Sequence, residues 1–257
     1  MQWFDDPAEH LRRLHQGVAT CANAGADVVF LPELTLSRYP ADTRPKTAAD
    51  RYPEDINRGP SVAFAREAAQ INDVFVQVSL YEQVKRDDGL GFNTAVLVAP
   101  SGDIVATTRK LHIPVTEGYF EDCYFAEGPA DEPYPIHSIA TDSADIKLGL
   151  PTCWDEWFPE VARNYGLRGA DILCYPTAIG SEPDHPKFNT RSLWQSVIVG
   201  HAIANGLFIA VPNRTGVEGL IRFYGGSFIV DPFGRILAQA PEDVKKIDNA
   251  KIKIFSA

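Results

Sequence analysis

Four cysteines are the obvious places to look for a nucleophile in this 257-residue chain, and they are not equivalent. Cys153 lies in KLGLPTCWDEWFPEVARNYGLRGADILCYPTAIGSEP, from Lys147 to Pro183. That stretch reads as an apolar strand, a sharp turn carrying the cysteine, a helix, and a second apolar strand ending in a polar loop. At a strand-to-helix turn, the free N–H groups and positive end of the helix favour a thiolate. Cys21 falls on the apolar face of the first predicted helix and Cys174 inside the strand DILCYP, so both read as inert core residues. Cys123 follows Glu121 and Asp122, whose charges oppose a thiolate. Position alone leaves Cys153 open between a nucleophile and a structural cysteine.

A cysteine nucleophile needs a proton acceptor, usually histidine. None of the six histidines is an evident partner, and His201, in the apolar run GHAIAN, reads as a hydrogen-bonded core residue. A carboxylate on a separate strand is the other option. Glu33 follows the apolar run VVFLP, where an apolar setting raises a carboxylate's proton affinity. Lys110 ends another strand, where a cation could hold an oxyanion. Taken singly, Glu33 reads rather as a strand-end glutamate that caps or pairs with a neighbour, and Lys110 as an exposed strand end. Three polar residues of different chemistry, each ending an apolar strand, point together to a site, because α/β sheets hold ligands beyond the carboxyl ends of their strands.

Other chemistries lack their signatures. There is no C-x-x-C pair or His-x-x-x-His run for a metal, no G-x-S-x-G elbow, no phosphate-binding G-x-x-x-x-G-K-[ST], and no G-x-G-x-x-G opening a helix. No cofactor and no metal are implied. The net charge of −10 argues against a nucleic-acid partner, since phosphate binding needs a basic face. It suits neutral or cationic small molecules better. The N-terminus MQWFDDPAEH has no basic segment followed by an apolar one, and apolar runs such as Leu207 to Val211 are too short for a bilayer. Scattered cysteines do not make a disulfide scaffold, so a reduced, cytoplasmic location is expected and the sequon Asn213-Arg214-Thr215 carries no meaning.

The elements that must position these residues can be read in order. Asp5-Asp6-Pro7 starts a helix with Leu11, Leu14, Val18 and Cys21 on one face, stopped at Gly25. Residues 27–31 form a short apolar strand of the kind buried on both faces. Residues 40–59 read as a loop, 60–72 as a helix and 74–80 as a strand. Strands at 94–99 and 103–108 are joined by Pro100-Ser101-Gly102, and an irregular aromatic and acidic stretch follows. Strands near 134–140 and 146–150, hinged by Thr141-Asp142-Ser143, lead into the Cys153 unit. A long helix at 188–205 and strands at 207–211, 225–230 and 235–239 complete an α/β pattern, read as one domain over residues 1–257.

Three blocks, VVFLPELTLSRYP, RKLHIPVTEGYFEDCYF and LGLPTCWDEWFPEVARNYGLRGADILCYPTAIGSEP, resemble the nitrilase superfamily of carbon–nitrogen hydrolases. Weaker similarity runs through GHAIAN and VPNRTG to FYGGSFIVDPFGRIL. The resemblance implies an α-β-β-α sandwich, two sheets between helix layers, that assembles as a homo-oligomer. It implies Glu33 as general base, Lys110 as its lysine and Cys153 as nucleophile, with the Trp154 N–H beside Lys110 at the oxyanion. A second glutamate, eleven residues beyond the lysine, matches Glu121 and helps position base and lysine. Within the superfamily, CWDEWFPE followed by YPTAIGSEP is most similar to N-carbamoylputrescine amidases, where the glutamate of Gly-Ser-Glu-Pro, here Glu182, meets the substrate's amino end. The implied reaction frees ammonia, carbon dioxide and an amine from a carbamoyl-amine. A general aliphatic ω-amidase, an N-carbamoyl amino acid amidohydrolase and a truncated, inactive scaffold are the alternatives. The chain also departs from the pattern: it starts where the family's first strand would end, and VKKIDNAKIKIFSA lacks the usual interface tail. The expected sandwich therefore lacks its first strand and tail.

Overall fold

A computed structural model describes residues 1–141 and 144–241. In chain order the helices are α1 (Pro7–Asn23), α2 (Pro60–Asn72), α3 (Pro159–Leu167) and α4 (Arg191–Asn205). The strands are β1 (Val28–Phe30), β2 (Phe75–Glu82), β3 (Phe92–Val98), β4 (Ile104–Arg109), β5 (Val115–Thr116), β6 (Tyr119–Phe120) and β7 (His137–Ala140). They continue with β8 (Asp145–Gly149), β9 (Ile172–Cys174), β10 (Phe208–Val211), β11 (Thr215–Glu218), β12 (Ile221–Tyr224), β13 (Phe228–Val230) and β14 (Ile236–Gln239). Asp6 caps α1 by accepting the Ala8 N–H at 3.0 Å, and Pro7 sets its first turn.

Two sheets form the centre. One has the order β1-β2-β3-β4, the other β14-β13-β10-β9-β8-β7. Apolar side chains fill three layers. Leu14 and Val18 of α1 and Val62, Ala65 and Ala69 of α2 cover Val29, Val76, Val78, Val96 and Val98 on the outer face of the first sheet. Ala95, Leu97 and Ala106 face Ile139, Leu148, Ile172 and Cys174 between the sheets. Val161 and Tyr165 of α3 and Trp194, Ile198 and Ala202 of α4 cover Leu173, Ile209, Val211 and Phe228. Strand β3 shows the logic, since Val96 and Val98 point to the helices while Ala95 and Leu97 point to the other sheet. The layers are helix, sheet, sheet, helix, as the family resemblance implied.

Strand direction explains the convergence of the strand-end residues. β1 runs parallel to β2, and β3 is antiparallel to both β2 and β4, so β1, β2 and β4 point the same way. Glu33 and Lys110 therefore leave the first sheet at one end. In the second sheet β8, β9 and β10 are parallel, which sends Cys153, Thr177 and Asn213 out together. A fourth apolar cluster, including Leu34, Tyr39, Tyr81, Tyr119, Phe125 and Phe223, closes that end.

Some sequence expectations shift. No regular helix follows Cys153 directly: residues Cys153–Trp157 form a 3-10 turn and α3 starts at Pro159. The positive end of α3 is thus not what acts on the thiol. Leu11 is exposed, and His10 takes the inward position, its Nε2 2.9 Å from the Thr35 carbonyl. The hairpin β11–β12 occupies a segment with no predicted strand, because Arg222, Glu218 and two flanking glycines look like a loop. Strand β13 begins three residues later than expected, after Gly225 and Gly226, both at positive φ. Asp142, Ser143 and the VKKIDNAKIKIFSA segment lie outside the described residues.

Candidate active site

Glu33, Lys110, Glu121 and Cys153 come together beneath the aromatic cluster, and all four are buried. Lys110 Nζ donates to Glu33 Oε1 at 3.0 Å and to Glu121 Oε2 at 2.7 Å. Tyr39 Oη donates to the other Glu121 oxygen at 2.8 Å, and Asn93 Nδ2 donates to Glu33 Oε1 at 2.6 Å. Glu33 Oε2 has no partner although it is buried. A carboxylate with one oxygen fixed by two donors and the other unpaired is arranged to accept a proton.

The backbone around these residues is held hard. Leu34, immediately after Glu33, has φ +49°, and Cys153 has φ +43°. Both lie in the left-handed region, which costs a non-glycine residue roughly 1–3 kcal/mol and persists only where neighbours impose it. At Glu33 the neighbours are Ser79, whose Oγ accepts the Leu34 N–H at 3.1 Å, and Arg214, whose Nη1 donates to the Glu33 and Leu34 carbonyls at 3.1 and 3.0 Å. At Cys153 its own N–H donates to the Pro176 carbonyl at 3.0 Å, beyond the end of β9. The Trp154 N–H has no backbone partner among the described residues and remains a free donor one residue on.

Asp155 joins the two halves of the site. Its carboxylate accepts the Thr152 N–H at 3.0 Å and the His112 N–H at 2.9 Å, with His112 Nδ1 at 2.8 Å. The turn that carries Cys153 is thereby locked to the segment that carries Lys110. His112 in turn stacks on Phe158, ring centroids 3.6 Å apart.

Two buried carboxylates share one cation. Burial alone would lower the pKa of Lys110, but Glu121, Glu33 and Cys153 outweigh it, so its ammonium stays charged well above the usual range. Burial raises Glu121 to about 7, with Lys110 opposing and Glu33 adding to the rise. For Cys153, burial and then the Glu33 charge push the thiol up, and Lys110 only partly offsets them. This corrects the expectation from sequence: the resting cysteine is a protonated thiol, not a thiolate favoured by a helix end.

Glu182 stands apart from the four, half-buried, with Thr190 Oγ1 3.3 Å from its Oε1. The Tyr119 hydroxyl donates to the Ser181 carbonyl at 3.1 Å, one residue before Glu182, and accepts the Gly180 N–H at 3.0 Å. The other cysteines are as read: Cys174 is sealed between the sheets and Cys21 is partly buried in α1. His201 is buried, its Nε2 3.0 Å from the Glu156 carbonyl. Sequence reasoning missed Tyr39, Asn93, Asp155 and Arg214. Among the described residues no group of three His, Cys, Asp or Glu side chains could hold a metal ion, and no helix is long and apolar enough to cross a membrane.

Comparison with known proteins shows what the chain is similar to. Residues 1–254 match the sequence profile of the carbon–nitrogen hydrolase family. A citrullinase from Francisella tularensis is 35% identical over 93% of this chain and 82% of its own length. An N-carbamoylputrescine amidase from Arabidopsis thaliana is 32% identical over 93% of this chain and 79% of its own length. Among solved structures, a carbon–nitrogen hydrolase from Helicobacter pylori G27 superposes with a TM-score of 0.78 at 33% identity, covering 94% of this chain and 83% of that one. On the profile match, these relatives and the shared fold, the chain belongs to the carbon–nitrogen hydrolase family of the nitrilase superfamily.

Proposed function

We propose that this amidase-type hydrolase cleaves the terminal C–N bond of a carbamoyl group carried by an amine-bearing small molecule, with N-carbamoylputrescine as the representative substrate. The observation that carries the chemistry is the unpaired Glu33 Oε2 in the same buried cluster as the Cys153 thiol. Glu33 takes the Sγ proton as Sγ attacks the ureido carbon. Lys110 Nζ and the Trp154 N–H stabilise the oxyanion, each such donor contributing roughly 3 kcal/mol to the transition state. The C–N bond breaks and Glu33 returns the proton to the leaving nitrogen, releasing ammonia. Glu33 then deprotonates a water that attacks the thioester carbon. The Cys153 thiol is restored, and the carbamic acid released loses carbon dioxide to leave the amine. Glu121 holds no reacting atom; with Tyr39 it fixes Lys110.

The names of the relatives support a ureido substrate, and Glu182 supports an ammonium at its far end. A second reading, a terminal ureido amino acid, is favoured by the 35% identity to a citrullinase. Ammonia release measured across N-carbamoylputrescine, citrulline, N-carbamoyl amino acids and simple ω-amides decides between them. Silence on the whole panel would leave the scaffold alternative standing.

Glu182 makes a sharper prediction. A charge-assisted hydrogen bond contributes about 1.5–3 kcal/mol, so Glu182→Gln should raise KM for cationic substrates by roughly 10- to 100-fold. KM for neutral amides of similar size should hardly change. Equal effects on the two substrate types, read from steady-state kinetics, would remove Glu182 from the ammonium site.

A further inference from the structure

Three residues after Cys153, Glu156 is completely buried and pairs with no cation among the described residues. An unpaired carboxylate cannot be kept in such a place at acceptable cost, so the group must hold a proton or find a counter-charge. The hydrogen-bond geometry shows where that proton goes. Thr177 Oγ1 is 2.7 Å from the Tyr175 carbonyl and 3.4 Å from Glu156 Oε2. A hydroxyl has one proton, and the shorter contact, to an oxygen that can only accept, uses it. The longer contact therefore needs its proton from Glu156. Glu156 Oε1 has no partner, and the Trp194 indole N–H turns toward the carboxyl without completing a bond.

The same segment that receives Glu156 also receives the cysteine. Pro176 accepts the Cys153 N–H and Thr177 contacts Glu156, so two successive residues beyond β9 hold both ends of the turn. We propose that Glu156 is a positioning residue that works as a neutral carboxylic acid: its proton fastens the Cys153 turn to Thr177, and loss of that proton at alkaline pH switches the thiol off. This rests on Cys153 being the nucleophile, as assigned above.

The charges facing Glu156 give the sign. On its own turn are Cys153 and Asp155, the latter occupied by backbone N–H groups and His112. Glu33 faces it from the end of β1, Lys110 from the end of β4 and Tyr175 from the end of β9. From α4 come Trp194 and His201, which donates to the Glu156 backbone carbonyl and not to its carboxyl. Lys110 is already shared by Glu33 and Glu121. Ionising Glu156 adds a third carboxylate charge beside Cys153 with no cation to spare. The thiolate becomes harder to form and the Thr177 contact loses its donor. Burial holds the Glu156 pKa well above the usual carboxylate range, which places this event on the alkaline side.

Glu156→Gln keeps the shape and an N–H donor but cannot titrate. Its kcat near neutral pH should stay within about threefold of wild type, because neither form carries charge there. The alkaline limb of kcat against pH should move up by about one unit. The rate of Cys153 alkylation by a small electrophile, followed against pH, should titrate at lower pH in the variant. The infrared difference between wild type and variant should contain a protonated-carboxyl stretch at neutral pH that vanishes on alkaline titration of the wild type. Superimposable alkaline limbs and thiol titrations overturn the proposal, as does absence of that band. A loss of 100-fold or more at every pH would make the ionised carboxylate essential and overturn it equally. Thiol titration and infrared readout need no substrate, so they decide this point even if the carbamoyl-amine reading fails.

Discussion

Cys153→Ala should abolish ammonia release from every substrate the wild type turns over, with kcat/KM falling on the order of 10⁵-fold or more. Nothing in the fold can substitute for the missing sulfur. Cys174 is sealed between the two sheets, Cys21 lies in α1, and Cys123 sits beside Asp122 and Arg44 outside the buried cluster. Nor can a water activated by Glu33 replace it at a useful rate, since a ureido carbon is far less electrophilic than the thioester carbon that water attacks once sulfur has bonded. The fold should tolerate the change. The replaced atom is small, it accepts no structural hydrogen bond among the described residues, and the strained φ of +43° is imposed by the Pro176 contact, which alanine keeps. Thermal unfolding should therefore shift by only a few degrees, and ammonia release should be measured on protein shown to be folded. Mass spectrometry after brief exposure to a substrate amide bearing an electrophile should find one adduct on the wild type and none on the variant. Residual turnover above about 1% would mean that another group carries the attack.

How much of this could be read from the chain depends on the range of the interaction concerned. Glu33 and Cys153 were legible because each follows an apolar strand, and Lys110 because it ends a strand that the Pro100-Ser101-Gly102 turn announces. Their common meeting place needed only the rule that ligands collect beyond strand ends. Glu121 was different. It lies in a stretch of aromatic and acidic residues with no period, and only a family resemblance singled it out. Asp155 and Glu156 were invisible for a further reason. In WDEW they look like the charged face of a helix beginning at the cysteine, whereas Pro159 resets the helix start and both acids turn inward. What Asp155 does depends on Leu111 and His112, more than 40 residues away, and no local pattern encodes that approach. Arg214 was passed over inside a glycosylation sequon, yet its guanidinium reaches back to the Glu33 turn. The α/β class follows from patterning and the sandwich came only with the family resemblance; the contacts that set charge and strain at the site follow from which loops meet.

The second large effect should come from Lys110→Met, because one side chain there serves both chemistry and stability. With the ammonium gone, the oxyanion loses a donor and Glu33 loses the partner that fixes its bound oxygen. Activity should fall roughly 10³-fold or more. The protein should also lose about 3–5 kcal/mol of stability, the usual cost of leaving buried charge without its partner. The pH dependence separates this from ordinary core damage. Glu121 is already raised from 4.5 to about 7 with Lys110 opposing the rise, so removing Lys110 pushes it higher still. For a carboxylate whose folded pKa is raised, the folded state binds more protons than the unfolded chain between the two values. Stability is then present below the unfolded pKa and declines as pH rises toward the folded one. The deficit of Lys110→Met relative to wild type should thus be smallest near pH 5 and grow toward pH 9, as read from denaturant midpoints. Adding Glu121→Gln to the same chain should recover much of the stability at pH 9, since one buried charge has been removed, and should recover none of the activity. A deficit that is flat with pH, or a double variant no more stable than the single one, would mean that Lys110 acts by packing alone and that its charge is not what Glu33 and Glu121 are arranged around.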